Sequence, residues 1–263
     1  MTLTKALDLV NVEVLADTIS AKLEKGIRFA PHARVEDTLV SEAGLTIKRP
    51  RYAYIGAAED LEEGVPLDPT KMTATEATVT VKEAGKGIEP TYTSILANVD
   101  GFMDEAVLQL QKSVSDKIDM DYVATLGETE LAHNAAPTSV DAIIDAVELF
   151  GDEDEEDYIL FINPTDYNAL RKSMINDNTF NTFLSQEQFA DLLGLKEIVK
   201  SKRVDAGTAF VQKAGAVEIV YKRYPTIEKD KDIIKRTIVI TINTLYATNL
   251  YNEGGVVKIS VSE

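Results

Sequence analysis

Gly44-Leu-Thr-Ile-Lys-Arg-Pro-Arg-Tyr-Ala-Tyr-Ile-Gly56, with a return over Met72 to Lys82 that ends in Thr78-Val-Thr-Val81, decides the fold. Both arms are rich in β-branched and aromatic residues and alternate with period two, the pattern of strands. Pro50 removes a backbone donor, which an edge strand or a bulge tolerates and a central strand does not. The excursion from Gly44 to Lys82 is therefore expected to be a free-standing β-ribbon. Its tip, Ala57 to Pro69, carries Glu59, Asp60, Glu62, Glu63 and Asp68 together with Gly64, Pro66 and Pro69, far more chain than the roughly two to five residues of an economical hairpin. A two-stranded hairpin is marginal in water by itself, so a stable one needs a surface to lie on. The bland alternative is an ordinary surface hairpin with a disordered tip.

A long amphipathic helix is expected next, over Asp100 to Leu126. Asp100 is placed to cap it, Asp104 and Glu105 lie in its first turn, and Gly127 follows its end, all favourable to the helix dipole and termini. Met103, Val107, Leu110, Val114 and Ile118 recur at three-and-four spacing as one apolar stripe. Such a helix is about 40 Å long at 1.5 Å per residue. The stripe is short for a dimeric coiled coil and lacks a regular Leu seam, so a spine packed on a sheet of its own domain is the favoured reading. Neither ribbon nor spine can bury its surface in one small globule. The chain reads as a part that other copies complete.

The 263 residues, 44% of them hydrophobic, suffice for real cores in one large domain or two small ones. A net charge of −17 argues against wrapping nucleic acid, which is gripped by Lys and Arg that release counterions. Any relation to DNA is expected to be containment. The absence of Cys excludes disulfides and thiolate metal sites and suits a reducing cytoplasm. No apolar run reaches the ~18 residues of a membrane span, and Met1 to Val10 does not read as a signal peptide.

Along the rest of the chain, Val12 to Lys25 reads as a short helix with Leu15, Ile19 and Leu23 on one face, and Gly26 to Ala43 as an extended arm. Gly85-Lys86-Gly87 lacks the frame of a phosphate loop and is expected as a turn into the strand before the spine. After the linker Gly127 to Pro137, Thr138 and Asp141 approximate a capping box for a helix over Val140 to Phe150. A compact α/β unit follows: strand Tyr158 to Ile162, a helix from Asn163-Pro-Thr-Asp166 through Met174, a short helix near Gln186 to Leu193, and strands near Lys196 to Lys200, Thr208 to Gln212 and Val217 to Tyr221. Ile233 to Leu250 alternates in polarity, and Gly254-Gly255 is expected to turn it into Val256 to Val261 as a terminal hairpin.

This order of parts resembles the major capsid proteins of tailed bacteriophages with the HK97-type fold. Stretches that carry the likeness include Gly44-Leu-Thr-Ile with its Pro50 arm and Gln109-Leu-Gln-Lys-Ser113 running to Asp119 and Asp121. Others are Phe161-Ile-Asn-Pro-Thr-Asp-Tyr-Asn-Ala-Leu-Arg171, and Gly207-Thr-Ala-Phe-Val211 leading to Gly215-Ala-Val-Glu-Ile219. The resemblance implies an α+β fold divided into an N-arm (1–43), an extended loop over a neighbouring subunit (44–82), a peripheral domain with the spine helix (83–137), an axial α/β domain (138–225) and peripheral return strands (226–263). It implies a virion shell of pentamers and hexamers that encloses double-stranded DNA, assembled in the host cytoplasm, with portal and decoration proteins as further partners. Only about forty residues precede the loop, so a separate scaffolding protein or none is expected. No Lys lies in the tip, and Lys48 and Lys71 sit on the arms, so no isopeptide cross-link between copies is expected.

Arg49 and Arg51 at the ribbon base and Glu62, Glu63 and Asp68 in its tip are the candidate inter-subunit contacts, because a guanidinium can hold a carboxylate bidentately. No cofactor and no catalytic or metal residues are proposed. His32 and His133 lie about a hundred residues apart and form neither a zinc site nor an evident Ser-His pair. The run Asp152 to Asp157 offers carboxylates to a divalent cation, but without EF-hand spacing, and solvated charge is the more ordinary state. An encapsulin-type compartment is the alternative within the same fold. A soluble α+β enzyme is the alternative of a different class, disfavoured because no acid, base and nucleophile constellation can be assembled.

Overall fold

The computed structural model describes residues 27–40, 43–52, 55–58, 60, 69–97, 102–152, 156–176 and 186–261. In chain order its strands are β1 (Arg34–Glu36), β2 (Thr46–Tyr52), β3 (Ala74–Thr80), β4 (Lys82–Ile88), β5 (Ala132–His133), β6 (Tyr158–Ile162), β7 (Glu197–Lys200), β8 (Thr208–Lys213), β9 (Val217–Asp232), β10 (Thr237–Leu250) and β11 (Val256–Ser260). The helices are α1 (Tyr92–Ala97), α2 (Phe102–Leu126), α3 (Val140–Glu148), α4 (Pro164–Asn176) and α5 (Gln186–Leu192). The helix expected over Val12 to Lys25, the Asp100 cap and the tip residues Glu62, Glu63 and Asp68 lie outside the described residues.

Three sheets organise these elements: a four-stranded one in the order β1-β9-β10-β4, a five-stranded one in the order β5-β11-β8-β6-β7, and the two-stranded ribbon β2-β3. The spine α2 runs 25 residues, about 38 Å at 1.5 Å per residue. Its stripe continues beyond the expected residues: Leu110, Val114, Ile118, Tyr122 and Leu126 are all buried against Ile219, Tyr221, Ile242 and Tyr246 of β9 and β10. The repeated spacing of four makes the stripe wind slowly about the helix, which suits a twisted sheet better than a straight seam. Ile159, Phe161 and Phe210 of the five-stranded sheet join the same core. That sheet's other face, with Leu160, Ile162, Ala209 and Val211, packs on α3, α4 and α5. Burial on both faces explains why Tyr158–Ile162 is an unbroken apolar run.

Four local expectations need correction. Gly85-Lys86-Gly87 is strand and not turn: it lies inside β4, paired with Asn243, Ile242 and Thr241 of β10. A Cβ on Gly85 would stand 2.9 Å from the Ile242 carbonyl oxygen, so these glycines permit close approach of the two backbones. The strand expected to stop at Tyr221 runs on to Asp232, passing Pro225 where the register with β10 shifts between Asn243 and Tyr246; a bulge is where a strand accommodates proline. Ile233 consequently falls in the turn. Val256–Ser260 does not close a hairpin with β10 but crosses to pair with β8 and β5. Gly255 makes that crossing possible, since a Cβ there would lie 2.7 Å from that of Ala216. The capping box before α3 does not form, because Ser139 is the N-cap residue and makes no side-chain cap bond.

In sheet terms, β9 joins the four-stranded sheet from Val217, while β5 and β11 join the five-stranded one. The segments 138–225 and 226–263 therefore exchange strands.

Candidate assembly surface

Side chains alternate along a strand, so β9 has two faces with different tenants. Val217, Ile219 and Tyr221 face the spine core. Val220 faces the opposite way, into a small cluster with Leu39, Val79, Val81 and Ala247 that seats the base of the ribbon. The ribbon is thus not free-standing at its base. It keeps seven residue pairs from Thr46↔Thr80 to Tyr52↔Ala74, with Pro50 opposite Glu76. Beyond the pairs, Ile55 and Met72 are exposed.

Arg49 fixes this seat. Its Nε and Nη2 donate to the two carboxylate oxygens of Glu218, each at 3.2 Å, and Nη2 also lies 3.1 Å from Glu36 on β1. Glu218 is 0% exposed. Burial works against the Arg49 charge, but the bonds to Glu218 and Glu36 outweigh it and raise its pKa above the ordinary value. The hydroxyl of Thr38 donates to Glu36, and this bond, aided by Arg49, holds the Glu36 carboxyl below its usual range despite desolvation. Of the expected contacts between copies, Arg49 therefore meets carboxylates of its own chain. Arg51 lies in β2 opposite Thr75.

On the other face, the arm is held to the spine. Asp119 of α2, 1% exposed, accepts the backbone N–H groups of Arg28 and Phe29 on one oxygen at 3.2 and 3.4 Å. Arg203 Nη1 lies 3.3 Å from the other oxygen as an ion pair, but among the described residues that oxygen receives no hydrogen bond. Burial pushes the Asp119 carboxyl up to about 6, against the pull of Arg203 and the two amides. Phe29 stacks on Tyr122, with centroids 5.3 Å apart, and tilts against Phe161 at 5.0 Å. The Tyr122 hydroxyl donates to Gln212 at 2.8 Å. One turn on from Ile118, Asp121 accepts from Lys117, Lys82 and Tyr246; these bonds lower its pKa although burial opposes them.

At the far end of the four-stranded sheet, the turn between β9 and β10 presents Ile233 and Ile234, 81% and 94% exposed. The turn is built, not loose. Asp232 accepts the backbone N–H groups of Ile234 and Lys235 at 3.0 and 2.9 Å, and Arg236 adopts φ 57°. Two isoleucines fixed in water are the kind of apolar feature that marks a contact surface.

The acidic run is partnered at both ends. Asp152 pairs with Lys213 at 2.5 Å and accepts the Tyr158 hydroxyl at 2.6 Å, so its pKa is lowered, chiefly by the bond from Lys213. Asp157 pairs with Lys196. Among the described residues no cluster of three or more His, Asp or Glu is placed to hold a metal ion. His32 packs edge-on to Phe161 and His133 lies 3.8 Å from Asp145, so the structure does not bring the two histidines together.

Sequence reasoning missed Glu218, Glu36, Asp119 and the Ile233-Ile234 pair. A signal existed for Glu218, a single carboxylate inside the apolar run Ala216 to Val220, since a buried charge demands a partner.

The chain matches the model of a family described as phage capsid protein over residues 75–259. It is 32% identical over 265 residues, 98% of this chain and 96% of the relative, to a major capsid protein of Staphylococcus phage phiMR11. Among solved structures, the capsid of a native GTA particle superposes with a TM-score of 0.75 at 11% identity, covering 90% of this chain and 91% of that one. A virus-like particle from Pyrococcus furiosus superposes with a TM-score of 0.69 at 10% identity, covering 95% and 99%. At such identities these likenesses speak for the fold alone.

Proposed function

Because this chain belongs to the phage capsid protein family and is the shell protein of an icosahedral phage head with an HK97-like α+β fold, we propose that it closes double-stranded DNA into that head by self-association, without catalysis. Pentamers and hexamers are its building blocks, formed in the host cytoplasm around a separate scaffolding protein, with a portal and decoration protein completing the particle. Residues 44–82 act as the loop reaching over a neighbour, and Arg51, Glu62, Glu63 and Asp68 make contacts between copies.

The ribbon carries this reading. It is clamped at its base through Arg49 to a buried carboxylate, while past its paired strands Ile55 and Met72 are exposed, and the sequence between them is acidic. A rigid base with a reaching end is what a donor element needs, because ordering it beforehand lowers the entropy lost on contact. Many such modest contacts, repeated by symmetry, hold a closed shell that no single pair could hold.

Negative-stain electron microscopy with sedimentation, on the protein expressed alone and then with its genomic neighbours, tests the proposal. Closed icosahedral shells containing DNA are expected in the second preparation. A well-behaved monomer in both overturns it, and shells that enclose a cargo enzyme instead of DNA turn it to a protein compartment.

A further inference from the structure

A cleft of about 1100 Å³ runs along the first half of α2, bounded on its other side by the start of α4 and the segment after β7. Arg28, Lys112, Lys200, Lys202 and Arg203 line it, a basic feature on a chain of net charge −17. The two carboxylates of its lining are already engaged, Asp116 with Arg203 and Glu105 with the Gln109 amide. Lys200 lies over the Tyr167 ring, 4.6 Å from its centroid, and Arg203 also faces Asp119. Arg28, Lys112 and Lys202 remain: all three are exposed, and none has a carboxylate partner among the described residues. On the floor, Gln111 is only 5% exposed, and its amide nitrogen has no acceptor among the described residues. Buried donors are ordinarily partnered, and under a wall of cations the missing acceptor is the oxygen of an anion. Pro164, the first residue of the 13-residue helix α4, lines the same cleft, which brings the positive end of a helix dipole to its wall.

We propose that this cleft receives the phosphodiester backbone of DNA, with Arg28, Lys112 and Lys202 pairing with phosphates and the Gln111 amide turning to a phosphate oxygen. The terminal torsion of a glutamine is soft enough for that turn. The ligand is extended, because about 1100 Å³ is far more than one ion fills. Along α2 the lining runs from Glu105 to Asp116, a wall of about 17 Å at 1.5 Å per residue. One strand of duplex DNA carries a phosphate about every 3.4 Å of its axis, so about five of them face a wall of that length. Lysine ammonium groups on flexible stems meet such a line as point charges, without demanding a fixed register. Leu108, 44% exposed, and Pro164 add apolar lining beside them. Phosphate contacts carry no sequence information, so the cleft takes any DNA sequence. The net charge of −17 keeps a single contact weak, as suits a chain that contains DNA without wrapping it, and repetition over a shell multiplies it. That DNA is the polyanion at hand rests on the reading of a DNA-filled head; the affinity is a property of one chain.

The test uses the full-length chain, nuclease-treated and kept unassembled by dilution, so that its failure is read separately from a failure to form shells. Anisotropy of a labelled, mixed-sequence duplex of about 12 base pairs is followed as salt is raised from about 50 to about 200 mM. Three phosphate contacts predict a slope of log K against log salt near about −2.7. Changing Lys112→Gln and Lys202→Gln together should flatten that slope by about 1.8 and weaken binding at least about tenfold at low salt. Lys86→Gln with Lys229→Gln, at two exposed lysines outside the cleft lining, makes the same change in net charge and should weaken binding less than about twofold. With the duplex bound, acetylation of Lys112 and Lys202 should fall at least about threefold while that of Lys86 stays unaltered. No binding, equal losses in the two double variants, or protection of other lysines instead overturns the proposal. Protection of Lys112 and Lys202 by polyglutamate as strong as by DNA of equal charge overturns it in favour of an acidic peptide, and equal protection by inorganic phosphate overturns it in favour of a single-ion site.

Discussion

The ribbon and the arm are both tied down through a carboxylate taken almost wholly out of water, Glu218 at 0% and Asp119 at 1% exposure, and both carboxylates face an arginine. They differ in how completely the charge is answered. Glu218 has each oxygen met by its own guanidinium N–H. Asp119 shares two long amide bonds on one oxygen, and its other oxygen has no hydrogen-bond donor among the described residues. Burying a charge stabilises nothing by itself, and what a clasp contributes depends on whether its partner repays desolvation. The ribbon's clasp is fixed, whereas the arm's clasp weakens or tightens with the charge on Asp119.

The largest expected effect comes from cutting the complete pair. Arg49→Ala leaves Glu218 buried and unanswered, and should lower the unfolding free energy of the unassembled chain by about 3–5 kcal/mol. Arg49→Lys keeps a charge but not the fork, and should fall between wild type and alanine in a denaturant titration. Amide exchange should quicken most at Ile47 and Val79, the pair next to the clasp. A loss below about 1 kcal/mol on Arg49→Ala would mean that Glu218 finds water or another donor, and would remove the distinction between the two clasps.

The second test acts on the incomplete pair through pH. Asp119 titrates near 6 in the folded chain against 3.8 as its ordinary value. Between those values the folded state holds the proton more tightly than the unfolded one, so this group's contribution declines as pH rises from about 4 to 6. The full difference is on the order of 3 kcal/mol at neutral pH. Glu36 and Asp121 have lowered pKa values and lose their contributions only as pH falls below the ordinary carboxylate range, while His32, whose pKa burial lowers from 6.5, adds stability as pH rises towards 6.5 and so opposes the Asp119 trend. Asp119→Asn should remove the downward part of the pH dependence of unfolding free energy between pH 4 and 6, followed by denaturant midpoints. An unchanged slope in the variant would move the effect to another group.

Much of this architecture was legible beforehand because it rests on periodicity. The spine's stripe, the alternating ribbon arms and the apolar run Tyr158–Ile162 each follow from how a helix or a strand presents side chains. What escaped was non-local. Nothing in Gly85-Lys86-Gly87 itself says that β10 passes within van der Waals reach, and Val256–Ser260 carries no mark of which sheet it will join. Arg49 was singled out as a carboxylate partner, yet the choice between a neighbour's carboxylate and Glu218, 169 residues further on, belongs to tertiary packing. The tip residues Glu62, Glu63 and Asp68 act, on the proposal above, only in quaternary geometry.

A neutral bond gives a third, smaller point on the scale. Tyr122→Phe removes the hydroxyl that joins the spine to Gln212, itself 0% exposed, and strands the Gln212 oxygen. About 1–2 kcal/mol should be lost in thermal or denaturant unfolding. A loss equal to that of Arg49→Ala would show that burial, not charge, sets the cost.

The smallest effect should come from the residue beside Arg49. Lys48 sits on the opposite face of β2 and pairs with Glu76 at 2.8 Å, a shorter distance than either Arg49 bond, but with 69% and 61% of the two side chains exposed. Distance alone would rank it the stronger clasp. In water, however, the attraction is screened and two long side chains must be ordered to gain it, so exposed pairs contribute only about 0–1 kcal/mol. Lys48→Ala should therefore change the unfolding free energy by less than about 0.5 kcal/mol, and raising salt to about 1 M, where the screening length is ~3 Å, should erase even that while leaving the Arg49→Ala loss in place. Equal losses at the two neighbouring positions would mean that the ribbon's base is open to solvent on both faces, and the seat on β9 would no longer explain how the reaching end is held.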